Sequence, residues 1–97
     1  MKLSFQINDS MHIDTEKYKS VYNHNYYKLP EEIAIQVGTD IMLEVCNEEY
    51  NTMTYYLMYP TGERKLVFQD CCFEYVSEPT IYIDIEDGVP VEQQMWT

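Results

Sequence analysis

Ninety-seven residues leave room for one hydrophobic core of about two layers, so the chain is read as a single domain spanning residues 1–97. Seventeen acids against six bases give a net charge of −11, which excludes direct binding to nucleic acid, where Lys and Arg must displace counterions, and argues against anionic membranes. An apolar content of 45% with ten tyrosines excludes a disordered acidic tail.

Leu3-Ser4-Phe5-Gln6-Ile7 alternates apolar and polar side chains and predicts a short strand or an arm. Between Asp14 and Tyr22 the acids precede the lysines, as a helix dipole prefers, and Asp14 could cap a helix there. A second short helix is predicted from Pro30, whose fixed φ suits a first turn, with Glu31 and Glu32 at its positive end and Gly38 as its stop. Beyond Gly38 the period becomes two. Ile41, Leu43 and Val45 share one face of a strand, opposite Asp40, Met42, Glu44 and Cys46.

A turn over Asn47 to Asn51 leads to a strand over Thr52 to Tyr59, with Met53, Tyr55, Leu57 and Tyr59 opposite Thr54, Tyr56 and Met58. Pro60-Thr61-Gly62 turns the chain into a hairpin partner over Glu63 to Gln69, continued after a bend by Cys71 to Val76 and broken at Ser77-Glu78-Pro79. Thr80 to Glu86 is a strand with Ile81, Ile83 and Ile85 inward and Tyr82, Asp84 and Glu86 outward. Asp87-Gly88 ends it, and Pro90 makes the tail a poor central strand. The fold class expected is α+β, an antiparallel sheet of about four or five strands with one or two short helices packed on one face. Its solvated face would carry Asp40, Glu44, Glu74, Asp84 and Glu86 among tyrosines.

The charge is unevenly distributed along the chain. Residues 1–28 hold three acids and four bases, whereas residues 29–97 hold 14 acids and only Arg64 and Lys65. Chemistry is correspondingly hard to find. His12 and His24 stand in no zinc-ligand spacing, and Cys71-Cys72 lacks the two-residue spacer of redox and zinc motifs. Asp84-Ile85-Glu86-Asp87-Gly88 fails as a calcium loop because its glycine comes one position early and Met95 occupies the closing position. Gly38, Gly62 and Gly88 are too far apart for a phosphate loop, and no substrate-orienting group accompanies the paired carboxylates. The expectation is a protein that is not an enzyme and needs no cofactor or metal. Cys46, Cys71 and Cys72 cannot all pair, and the opening residues run into polar ones without a secretion-signal core, so a cytoplasmic protein is expected.

Rows of carboxylates on a sheet lie about 6.8 Å apart along a strand and about 4.8 Å apart across strands, a partial match to the charge density of a duplex. An acidic face of this kind would steer the protein to the basic cleft of a DNA-binding protein. In keeping with that idea, Leu29-Pro30-Glu31-Glu32-Ile33, Val37-Gly38, Asp40-Ile41 and Leu66-Val67-Phe68-Gln69-Asp70 occur in the order found in the phage uracil-DNA glycosylase inhibitor family, which this chain resembles over residues 29–70. The resemblance implies a small acidic α+β protein that inserts a strand into the DNA groove of a repair enzyme and receives one of its side chains in an apolar pocket. It makes Glu32 an acidic contact and places Tyr56, Leu57 and Met58 near the pocket. The family's acidic residue and serine before the Leu-Pro pair fall here on His24 and Asn25, and the chain extends beyond Asp70.

These readings lead to an acidic DNA mimic, phage-encoded and acting in the host cytoplasm, that inhibits a basic host DNA-binding protein by occluding its DNA site. Uracil-DNA glycosylase, a histone-like nucleoid protein, a nuclease and RNA polymerase are the candidate targets. The expected contact residues are Glu31, Glu32, Asp40, Glu44, Tyr56, Met58, Glu74, Tyr82, Asp84 and Glu86. The alternatives are an acidic binding module of another kind, such as an immunity protein or assembly factor, an acid-base enzyme using Asp84 or Glu86, and an acidic surface that serves solubility alone. Exposed strand edges would also allow a homodimer.

Overall fold

The computed structural model describes residues 2–7, 11, 13, 24–38, 40–49, 52–72 and 80–96. Their elements, in chain order, are β1 (Lys2–Gln6), β2 (His24–Lys28), α1 (Glu31–Val37), β3 (Met42–Glu49), β4 (Thr52–Met58), β5 (Arg64–Cys72), β6 (Thr80–Glu86) and β7 (Val89–Trp96). All strand pairs are antiparallel and form two sheets, a three-stranded one in the order β1-β6-β7 and a four-stranded one in the order β2-β3-β4-β5. The fold is therefore α+β-like and mostly strand.

The expectation of one sheet with one or two helices on a face is corrected on two counts. The strands divide between two sheets, and α1 is the one helix among the described residues. Period-two alternation tells a strand which face to bury but not which strand to pair with, and β6 pairs with the remote β1. The helix expected between Asp14 and Tyr22, Glu74 and the break at Ser77-Glu78-Pro79 lie outside the described residues.

Helix α1 forms where the sequence places it. Pro30 accepts the first helical hydrogen bond, from Ala34 at 3.0 Å, and Glu31 and Glu32 occupy the first turn. Gly38 ends the helix at φ 111°, a backbone conformation that favours glycine. Ile33 and Val37, four residues apart, are buried on its inner face. They join Leu43, Val45, Tyr55, Leu57 and Phe68 of the four-stranded sheet and Phe5, Ile81, Ile83 and Ile85 of the three-stranded one in a single core cluster.

Two hairpins follow local chemistry. After β4, the Gly62 amide donates to the Tyr59 carbonyl and the Tyr59 amide to that of Glu63, each at 2.9 Å, with Gly62 at φ 88°. Between β6 and β7, Asp87 at φ 52° and Gly88 at φ 76° are the two central residues of a turn flanked by the Glu86–Val89 pair, the positive-φ geometry that matches strand twist. Pro90 sits opposite Ile85 beside a register shift, on an edge strand, where its missing N–H costs no ladder bond inside the sheet. Among the described residues no helix is long and apolar enough to cross a membrane.

Candidate functional site

Acidic residues collect on the outer face of the three-stranded sheet. Strand register sets Lys2 opposite Asp84 and Asp84 opposite Glu92, so one row crosses all three strands, and Ser4, Tyr82 and Gln94 form the next. Lys2, Tyr82, Asp84, Glu92 and Gln94 line an open hollow on this face. Asp84 thus stands between an opposite charge, Lys2, and a like one, Glu92. Glu86 is exposed beyond them, Asp87 is exposed in the turn, and Tyr82, Val89 and Val91 add exposed apolar area.

Of the expected contact residues, the structure brings Tyr82, Asp84 and Glu86 together. Glu31 and Glu32 are exposed on α1 and Asp40 is exposed in a turn at φ 63°, not on a strand, so these three lie apart from the sheet face. Glu92 joins this face although Pro90 makes the tail read as a poor central strand.

Two expected contacts are corrected by burial. Met58 packs with Tyr26 and Met42 in a second apolar cluster, and Glu44 is only 1% exposed. The face of β3 turned away from the main core is thus buried as well, and Ile41 through Cys46 are all buried. The signal for this lay in Met42 and Cys46, apolar neighbours that flank Glu44 on a face read as solvated.

Glu44 is satisfied by a set of short-range partners. Arg64 reaches from β5 across β4 to donate to Oε1 at 2.7 Å, its guanidinium lying 4.3 Å from the centre of the Tyr56 ring. The Cys46 thiol donates to the same oxygen at 3.0 Å, and the Tyr26 hydroxyl also hydrogen-bonds the carboxylate. His24 Nδ1 stands 3.9 Å from Oε1. These residues come together because Tyr26 pairs with Glu44, and His24 with Cys46, across β2 and β3. Sequence spacing could not show this, since the partners lie on different strands.

Burial alone would raise the Glu44 carboxyl, but hydrogen bonds from Cys46, Arg64 and Tyr26 outweigh it and hold the group below the ordinary glutamate range. Burial, and then the neighbouring carboxylate, push the Tyr26 phenol up to about 12. The hydrogen bond to Glu44 raises Arg64. A carboxyl lowered by folding stabilises the fold fully above its unfolded pKa, and that contribution is lost as pH falls through the folded value. Urea unfolding from about pH 6 to about pH 3 should therefore show a loss of stability below the usual glutamate range that is smaller in Glu44→Gln.

With Arg64 bound to Glu44 and Lys65 to Glu63 at 2.8 Å, both cations of residues 29–97 are engaged by acids near them. Among the described acids of that segment, Glu31, Glu32, Asp40, Glu86, Asp87 and Glu92 are exposed and Asp84 is half-buried. Comparison of the chain with protein-family models, with curated proteins and with solved structures finds no match.

Proposed function

We propose that this chain is an acidic DNA mimic that binds a basic DNA-binding protein through the outer face of the β1-β6-β7 sheet and inhibits it by occupying its DNA site. The observation that carries the reading is the placement of Asp84, Glu86, Asp87 and Glu92 on one sheet and its turn while Arg64 and Lys65 are held by Glu44 and Glu63. Tyr82, Val89 and Val91 supply apolar area of the kind that anchors protein contacts. The protein would act in the cytoplasm, that of a host cell if phage-encoded, without a catalytic step.

A second reading, an acidic module for a basic toxin or subunit, draws on the same exposed apolar residues. Competition separates the two. The labelled protein is titrated with uracil-DNA glycosylase, a histone-like nucleoid protein, a nuclease and RNA polymerase, with and without duplex DNA. A mimic gives salt-sensitive binding to one of them that excess duplex abolishes. Binding that survives duplex favours the second reading, and no binding at low salt overturns the first for these targets.

A further inference from the structure

The buried centre on the far face of the four-stranded sheet holds an imidazole, a thiol and a carboxylate whose ligand atoms all lie within 4.8 Å of one another. We propose that His24, Glu44 and Cys46 form a binding site for a zinc-class divalent metal ion that clamps β2 to β3. Tetrahedral zinc with bonds of about 2.0–2.3 Å sets its ligand atoms about 3.3–3.8 Å apart. Two separations, 3.0 Å from Cys46 Sγ to Glu44 Oε1 and 3.9 Å from His24 Nδ1 to the same oxygen, fall just either side of that range, and all three ligand atoms lie within 4.8 Å of one another. Side-chain adjustments of about an ångström would close the site around an ion.

The sheet already holds the ligands in place. His24 and Cys46 are cross-strand partners, and Glu44 is the next residue of β3 on the same face. The Tyr26 hydroxyl fixes the carboxylate from outside the ligand set, as outer partners do in metal sites. Thiolate, imidazole and carboxylate together suit zinc or cobalt and not the hard ions magnesium and calcium. On binding, the Cys46 S–H bond breaks, its proton passes to solvent, and sulfur donates its electron pair to the metal. Thiolate and carboxylate balance the dication. Arg64, 44% exposed, gives up part of its hold on Oε1 and keeps its place over Tyr56. Water takes the fourth position, on the side where the His24 side chain is 28% exposed.

Cys46, Cys71 and Cys72 are the three cysteines, so Cys71→Ser with Cys72→Ser leaves Cys46 as the single thiol. This variant, stripped of metal with EDTA, is titrated with cobalt(II) and followed by absorption. The expected result is saturation at one equivalent, with a thiolate-to-cobalt charge-transfer band and tetrahedral visible bands that zinc displaces. Adding His24→Ala should weaken binding at least about tenfold while circular dichroism shows the fold retained. Should the double serine variant fail to fold, a zinc-dependent rise in Tm of the wild-type chain that His24→Ala abolishes reads the same site. Absence of the charge-transfer band in the folded variant, or binding indifferent to His24→Ala, overturns the proposal.

Discussion

Replacing Arg64 by methionine should cost the fold about 2–3 kcal/mol in urea unfolding, with most of the loss returned when Glu44→Gln is added. Methionine keeps an apolar side chain near Tyr56 but leaves a carboxylate that is 1% exposed without its guanidinium. Breaking a fully buried ion pair typically costs about 3–5 kcal/mol. The smaller figure applies because Arg64 is 44% exposed and water can take over part of its role. Glutamine at position 44 removes the stranded charge, and its carbonyl still accepts from Tyr26 and Cys46. If the double variant is no more stable than Arg64→Met alone, the loss arises from packing over Tyr56 and not from the carboxylate.

Reversing two charges on the other sheet tests function where the first pair of variants tests the fold. Asp84→Lys with Glu86→Lys should weaken binding to a basic partner at least about tenfold, or about 1.4 kcal/mol, and flatten its salt dependence. Stability should change little. Lysine at position 84 exchanges one like-charged neighbour, Glu92, for another, Lys2, and Glu86 is exposed. The comparison is Glu31→Lys with Glu32→Lys on α1, where the resemblance to glycosylase inhibitors implies an acidic contact at Glu32. If that pair weakens binding and the sheet pair does not, the docking face is the helix, and the β1-β6-β7 surface is removed from the proposal.

Local signals were the legible part of this fold. Proline and glycine bracket α1, Pro60-Thr61-Gly62 joins β4 to β5, and the alternation of Ile81, Ile83 and Ile85 gives the buried face of β6. Strand β2 was not legible, because His-Asn-Tyr-Tyr-Lys carries no apolar alternation and is held as a strand by its pairing with β3. The division into two sheets was also hidden, since it depends on β6 finding β1 rather than a neighbour in sequence. For the site, the excess of acid was plain from composition, but which acid is internal was not. Glu44 meets Arg64 across an intervening strand, and His24 meets Cys46 across a strand pair, neither of which short-range spacing encodes.

The pairing of β1 with β6 also sets the order in which the chain can fold. Its side-chain hydrogen bond from Gln6 to Thr80 joins residues 74 positions apart, whereas β3-β4-β5 and β6-β7 link strands that follow one another in sequence. Hairpins of that local kind form in about 1–10 μs, while remote strand pairing must first overcome loop-closure entropy. On that ground the hairpins are expected to assemble before β1 docks and closes the three-stranded sheet along β6. Until then β6 is an open edge next to the acidic row, and the negative charge of that row works against edge-to-edge association with another copy during folding.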